Sequence, residues 1–442
     1  MSERRDVLHS WCVQADWDAP TVVGGAGARF FLEDGRAILD LSSQAECCNL
    51  GHQHPRVTAA IRAQAEALCY IANAWGAGSR AALARRLLEV SGFEGGRVFF
   101  TLGGADANEN AVKIARQAAG KPHGLIVARE RSYHGASFMG MALSGDARTQ
   151  AQVDAEAFGV RRVPAPYAYR CPFGGATEEE SGRLAAEAVG ACIDAAGGRA
   201  AGVIMEPDAG TNGIVAPDSY WPTLRAVTRQ RGALLIADEV MSGFGRCGEW
   251  FAWQRYGEAG RPDLMTLAKG LTGAAIPLGA VVLSAEVSAR LEHEMLQTGL
   301  TYCGHPLACA AGIAALAAYE EEGLIERSRR MGGDLLAALR RMQARHAVIG
   351  DVRGGRGLFA VIELVADRAS RMPLASWPRQ PPGLKALAEA AFAEEGISLA
   401  TRGNLIILAP PLVIGERELA DALDALDRLM GRFFPPQEDS PA

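Results

Sequence analysis

The stretch from Leu234 to Gly270 leaves the fewest folds open. An apolar strand, Leu234-Leu235-Ile236-Ala237, ends on two acids, Asp238 and Glu239. A glycine-rich turn from Val240 to Arg246 follows, and a second apolar strand, Leu264 to Ala268, stops at Lys269-Gly270. Open parallel sheets bind ligands at the carboxyl ends of their strands, so a carboxylate and an amine are expected in one crevice. Leaving water is costly for both ions unless something pairs or modifies them. A lysine bound covalently to a cofactor, with an acid facing that cofactor, removes the difficulty. This is what a pyridoxal-phosphate enzyme needs: lysine forms a Schiff base and an acid partners the pyridinium nitrogen. Taken singly, the lysine could be a solvated strand end and the acid a turn cap. Both strands together with the glycines favour the paired reading.

The rest of the chain supplies a sheet for these strands. Apolar runs at Val98–Thr101, Leu125–Val127, Val203–Met205 and Val281–Leu283 alternate with helical patterns, which argues for a mostly parallel sheet covered by helices. Residues 21–50 are expected as an antiparallel arm, because Phe30-Phe31-Leu32 and Ala37–Leu41 flank an Asp34-Gly35 turn signal. Pro55 starts a helix through Val57, Ile61 and Leu68, and Ser79 is expected to cap another through Leu83, Leu87 and Val90. Helices near 306–321 and 324–345 lead out of this region. Beyond Gly350 the texture is that of an α+β cap: an apolar run at Gly357–Leu364, a proline-rich loop at 373–382, a helix, a strand at 404–409 and a last helix from about Glu416. Pro435 to Ala442 is expected as a loose tail.

A length of 442 residues leaves room for two or three domains. A net charge of −6 gives no electrostatic footprint for nucleic acid. The opening residues Met1 to Asp6 lack the apolar core of a signal peptide. No apolar run approaches the roughly 20 residues of a membrane span, and the alanine-rich stretch Pro306–Tyr319 is expected as a buried helix. Nine cysteines, with an odd total and no Cys-x-x-Cys pair, favour neither a disulfide framework nor a zinc site. Gly51-His52-Gln53-His54-Pro55 is expected as a loop rather than a metal site. No metal, no membrane and a cytoplasmic setting are therefore expected.

Four further positions are candidates for chemistry. Gly103-Gly104-Ala105 lies between a strand and a helix expected from about Asp106 to Ala119 and closed by Gly120. Small residues there let backbone N–H groups approach an anion, and the helix dipole favours phosphate; the same glycines also suit a plain turn. Tyr133, in Tyr133-His134-Gly135, is either a flat partner for a ring or an ordinary packing aromatic. Glu206, before Pro207, either faces the crevice or caps a turn. Thr301, ahead of a helix, is a phosphate ligand or a loop hydroxyl.

Together these segments resemble the class III pyridoxal-phosphate-dependent aminotransferases. The resemblance rests on Gly103 to Ala111, Tyr133-His134-Gly135, Asp238-Glu239-Val240, Gly243 to Gly248, Pro262-Asp263 with Lys269-Gly270, and Thr301 to Pro306, in the family's order, and runs from Gly51 to Leu412. It implies an α/β chain of PLP fold type I: a large domain with a mostly parallel seven-stranded sheet and a small α+β domain. Residues 1–60 would be the N-terminal arm and part of the small domain, 61–320 the large PLP-binding domain, and 321–442 the C-terminal small domain. It also implies a homodimer with shared active sites. Carried over by position, Lys269 is the Schiff-base lysine and proton shuttle, and Asp238 keeps the pyridine nitrogen protonated. Val240 and Tyr133 pack the two ring faces. Gly104 and Ala105 hold the phosphate, with Thr301 reaching it from the other subunit. Glu206 matches the acid of the family's Glu-Pro loop. The reaction implied is ping-pong: an amine donor leaves its nitrogen on pyridoxal 5'-phosphate and a keto acid or aldehyde takes it away. Lys269 must be a free amine during proton transfer, and the cationic cofactor and partial burial are expected to lower its pKa.

Departures from the family pattern bear on substrate. Many members that use ω-amino acids carry an arginine where Asn404-Leu405-Ile406-Ile407 has Ile407, and those using 4-aminobutyrate or ornithine gate it with a glutamate where this chain has Thr211-Asn212-Gly213. Losing both is coherent, since a lone glutamate on an apolar site would be an uncompensated charge. Met241 also stands where those members have glutamine. The pattern is closest to ω-transaminases of the taurine–pyruvate branch, with a non-α amine as donor and pyruvate or another small keto acid as acceptor. Arg402 is a candidate for the acceptor carboxylate or an exposed strand-edge arginine. Glu46, in the arm, is a candidate for a second amino group on a polyamine-like donor or a solvated loop acid. A racemase, decarboxylase or aminomutase of the same fold would keep Lys269 and Asp238, and a catalytically silent scaffold is the remaining alternative.

Overall fold

Leu234–Asp238 is the middle strand of a seven-stranded sheet in the computed structural model, which describes residues 3–435. Across the sheet the strands run Arg97–Thr101, Gly279–Leu283, Leu264–Leu267, Leu234–Asp238, Ala200–Met205, Leu125–Arg129 and Val160–Val163. All are parallel except Gly279–Leu283, which is antiparallel to both neighbours. The central strands are buried at every position, which is why they appear in the sequence as unbroken apolar runs rather than alternating ones. Successive side chains serve opposite faces. Leu235 shares an apolar layer with Val189, Trp221 and Leu224, and Ile236 shares the other with Ala111, Ile114 and Ile204. Asp238 pairs in register with Thr266, so Asp238 and Lys269 emerge from neighbouring strand ends.

Two smaller sheets flank this one. Val22–Ala26, Arg29–Leu32 and Ala37–Asp40 form an antiparallel arm around the Asp34-Gly35 turn, and Ile397–Ser398 joins it parallel to Ala37–Asp40. Both ends of the chain thus share one sheet. Ile349–Gly354, Ala360–Asp367, Leu405–Leu408 and Ala400–Arg402 make the other, antiparallel throughout, with Met372-Pro373 at its side. Pro306–Glu321 and Leu324–Arg345 are the helices that lead between the layers, and the alanine-rich one is buried along most of its length.

Two helix starts differ from expectation. Gly78–Ser91 begins before Ser79, and its N-cap is Ala77 with no side-chain bond, so Ser79 lies inside the helix and caps nothing. The helix expected from Asp106 begins at Gly104 and ends at Ala118. The small side chains of Gly104 and Ala105 allow helical geometry to begin at the strand's end, which places these two residues in the first turn. The expected tail beyond Pro435 lies outside the described residues. Among the described residues no helix is long and apolar enough to cross a membrane, and no group of three or more His, Cys, Asp or Glu could hold a metal ion.

Candidate active site

Asp238 and Lys269 open onto a cavity of about 560 Å³ at the carboxyl edge of the central sheet. Its walls are largely apolar, with Leu102, Val240, Met241, Ile276 and Leu278 among them. Asp238 is 3% exposed and its carboxylate is fully engaged. Oδ2 accepts from Asn108 Nδ2 at 2.7 Å and lies 2.7 Å from His134 Nδ1; Oδ1 accepts from the Val240 amide at 3.0 Å. Thr266 Oγ1 in turn donates to Asn108 Oδ1 at 2.7 Å, so the amide's orientation is set from the neighbouring strand. The acid is held rigidly while still facing the cavity.

Its neighbour Glu239 turns the other way, as strand alternation requires. It is buried, accepting from the Ser242 hydroxyl and from the amides of Ala252 at 3.0 Å and Trp253 at 2.8 Å. Burial pushes its carboxyl up to about 7, against the pull of those donors. Glu239 is therefore a structural acid and Asp238 the one turned to the site.

Lys269 lies on positive-φ backbone, 43°, and its Nζ is 2.9 Å from Glu46 Oε2. Burial acts to lower the pKa of this ammonium, but the Glu46 carboxylate, with Asp238 behind it, outweighs burial and the net shift is upward. In the chain alone, an acid that the arm places directly on the lysine thus opposes the effect of burial. Glu46 is 6% exposed, which sets aside the solvated reading of it. Residues Ser43 to Glu46 all take positive φ, between 48° and 64°, a left-handed turn that costs roughly 1–2 kcal/mol per residue. Arg246, fully buried, holds that turn in place. Its guanidinium donates to Ser43 Oγ at 3.0 Å, Asn49 Oδ1 at 2.8 Å, and the carbonyls of Leu358 at 2.7 Å and Pro410 at 2.6 Å.

Glu206 lines the cavity and is paired with Arg129, whose Nη2 is 3.1 Å from Oε2. Burial prevails over that pairing and pushes the Glu206 carboxyl up to about 7. Gly104, Ala105, Tyr133 and Val240 are all in the cavity wall. A Cβ on Gly104 would come within 2.9 Å of Val240 Cγ1, and one on Gly135, at φ 118°, within 2.5 Å of the Ala105 Cβ. The glycines at this corner therefore bring the helix start, the valine and the tyrosine segment close together. No side chain caps the helix start at Gly103.

Thr301 and Arg402 are not among the residues lining this cavity. Thr301 is exposed, and Tyr70 Oη donates to its carbonyl at 3.0 Å. Arg402 is largely buried on Asp146, with Nη2 2.6 Å from Oδ1, and its Nε donates to Asn212 Oδ1 at 3.3 Å, one residue beyond the wall residue Thr211. Ile407 packs in an apolar cluster with Met241, Phe359 and Val361. Asn108, His134 and Arg246 carry more of the site than sequence reasoning assigned to them. Asn108 and His134 sit within segments already singled out, and Asn108 is one helical turn past Gly104, which puts it on the same face. Arg246 closes the glycine-rich turn also singled out, but nothing local marks its partners, which lie between 112 and 203 residues away in the chain.

The donor set fits pyridoxal phosphate. An amine and a buried acid face one apolar cavity, Val240 and Tyr133 stand in its walls, and an uncapped helix start lies behind glycines that leave no room for a Cβ.

Comparison with known proteins points the same way. The family model described as aminotransferase class-III matches residues 14–430. The diaminobutyrate–2-oxoglutarate transaminase of Halomonas elongata is 34% identical over 436 residues, spanning 95% of this chain and 92% of that protein. The taurine–pyruvate aminotransferase of Rhodobacter capsulatus is 34% identical over 436 residues, spanning 94% and 92%. Among solved structures, the taurine:2-oxoglutarate aminotransferase of Bifidobacterium kashiwanohense, in complex with PLP and glutamate, superposes with a TM-score of 0.91 at 34% identity, covering 97% of this chain and 96% of that one.

Proposed function

The chain belongs to the class III aminotransferases, pyridoxal-phosphate enzymes of fold type I, and from that premise we propose that it moves an amino group from a non-α amine or ω-type amino acid to pyruvate or another small keto acid or aldehyde by a ping-pong cycle. One observation carries this reading: Lys269 and the triply bonded Asp238 share an apolar cavity whose described walls hold no arginine. Pyridoxal phosphate, when bound, supplies the electron sink that lets nitrogen leave one carbon and later join another. Lys269 Nζ is the attachment point and, as a free amine, the group that carries the proton between carbons. Asp238 holds a proton on the ring nitrogen, and its charge is fixed toward the cavity by Asn108, His134 and the Val240 amide. Val240 and Tyr133 take the ring faces, and the first-turn amides at Gly104 and Ala105 take the phosphate. Glu206, beside Arg129, closes the wall near them.

Thr301 is assigned to the phosphate of a second copy's site. Support comes from its exposure and from the aromatic side chains beside it, Tyr70 and Tyr302, which are both exposed in the single chain and suit a homodimer interface. Arg402 is assigned to the acceptor carboxylate from beside Asn212. The nine cysteines are all free, which suits a reducing, cytoplasmic compartment.

The test is a panel of primary amines offered with pyruvate or 2-oxoglutarate to the cofactor-loaded enzyme. Keto product formed only when an acceptor is present is the expected result; inversion of a chiral substrate without any acceptor would make it a racemase instead. Borohydride reduction followed by peptide mapping should label Lys269, and a label elsewhere would overturn the assignment.

A further inference from the structure

Glu46 has a cation partner in this structure that the working enzyme takes away. Its carboxylate is 6% exposed and 2.9 Å from Lys269 Nζ. It also borders the cavity, since a Cβ on the wall residue Gly210 would stand 3.3 Å from Glu46 Cδ. Among the described residues that line the cavity, Lys269 is the single lysine or arginine. Arg246 is nearby and its charge acts on Glu46, but its Nη atoms bond Ser43, Asn49 and two carbonyls and none of these bonds is to the carboxylate. Once Lys269 is engaged in transfer chemistry it must spend part of the cycle as a neutral amine. Glu46 then stands as a buried carboxylate facing an apolar space, a costly state unless another cation arrives.

We propose that the preferred donor is a linear diamine whose second ammonium is received by Glu46. The inference rests on the transaminase reading above and names the substrate class for it. A donor nitrogen reaching the place of Lys269 Nζ and a second nitrogen on the far oxygen of Glu46 would lie roughly 5–7 Å apart at ordinary hydrogen-bond lengths. A spacer of about three or four methylenes covers that distance, and the apolar walls at Val240, Met241 and Ile276 suit the spacer. The exchange also serves the lysine. While Glu46 holds it, Lys269 is kept charged; a substrate ammonium on Glu46 releases it as the amine that proton transfer requires. The cost of the left-handed turn from Ser43 to Glu46, and the bond from Arg246 to Ser43 that secures it, are accounted for if the carboxylate has to stand at one place. A donor whose distal group is a carboxylate or sulfonate meets the opposite situation, like charge at Glu46.

The experiment compares putrescine with n-butylamine as donor for the cofactor-loaded enzyme, and measures calorimetrically the binding of n-butylguanidine, a cation that does not surrender its nitrogen. In the wild type putrescine is expected to exceed n-butylamine in kcat/KM by about tenfold or more, as for a hydrogen bond between two charged groups. Glu46→Gln should remove most of that ratio and weaken n-butylguanidine by a similar factor, while Glu46→Asp recovers part of both. A ratio near one in the wild type, or a Glu46→Gln enzyme that keeps both the ratio and the guanidinium affinity, overturns the proposal. Guanidinium binding that depends on Glu46 in a protein that transaminates no amine would refute the transaminase reading while sustaining the cation site.

Discussion

Asp238→Asn removes one charge from the site and almost nothing else. In the native chain Oδ2 meets Asn108 Nδ2 and His134 Nδ1, each at 2.7 Å, and Oδ1 takes the Val240 amide at 3.0 Å. An asparagine can turn its oxygen to Asn108 and His134, but its NH2 then faces the Val240 N–H and one bond is lost whichever way it turns. That should cost about 1–2 kcal/mol of stability. The larger effect falls on the ring nitrogen that Asp238 is assigned to keep protonated. A carboxylate hydrogen-bonded to a cation at about 2.8 Å, with an effective dielectric near 20, contributes roughly 6 kcal/mol. A neutral amide retains about 1 kcal/mol of it. The difference, about 5 kcal/mol as an upper bound, corresponds to a fall of roughly 3–4 pKa units in the nitrogen's basicity. At neutral pH the variant should bind cofactor and lose on the order of a thousandfold in kcat/KM. The assay is steady-state transamination alongside cofactor content by absorbance and a urea melt. A fully loaded Asp238→Asn enzyme retaining more than about one-tenth of native kcat/KM would refute the role assigned to the acid, whatever its stability.

Three further outcomes are expected. Arg402→Ala should raise KM for the keto acid with little change in KM for the amine; unchanged acceptor kinetics would leave Arg402 a structural role through Asp146 and Asn212. Gly135→Ala places a methyl 2.5 Å from the Ala105 Cβ on backbone at φ 118° and should weaken cofactor binding by about 1–3 kcal/mol, measured by equilibrium titration; native affinity would mean that the corner yields. Glu239 has a folded pKa of about 7, above its ordinary 4.5, so the stability it contributes is complete below about 4.5 and is lost as pH rises through 7. Glu239→Gln should therefore reduce the decline in urea stability between pH 5 and pH 8 by up to about 3 kcal/mol, and equal slopes would refute that origin.

The parallel sheet was legible because its strands are buried on both faces and so leave long apolar runs, as Ala200–Met205 and Leu234–Asp238 do. The residues at the ends of those strands carried their chemistry openly. Contacts that join distant segments were less visible. Glu46 meets Lys269 across 223 positions, and Arg402 meets Asp146 across 256. No periodicity in either segment records such a meeting. The acid that opposes burial at Lys269 was hidden for the same reason: burial could be inferred from the strand, whereas Glu46 arrives from the arm. Ser79 illustrates a local limit, since a hydroxyl caps only when the helix begins just after it, and here the helix begins one residue before it, at Gly78.

The pairing of Ile397–Ser398 with Ala37–Asp40 has a consequence for how the molecule is made. The Leu39 amide donates to the Gly396 carbonyl and the Leu41 amide to that of Ser398; Leu41 in turn accepts from the Ala409 amide, and Asn49 from that of Leu412. A chain still emerging from the ribosome has the central sheet in full well before it has these last segments. The turn that presents Glu46 is therefore among the final parts to be set, although it lies near the first residues synthesised. A nascent chain halted before Gly396 would carry the lysine and the aspartate on a finished sheet with the mouth of the site unbuilt.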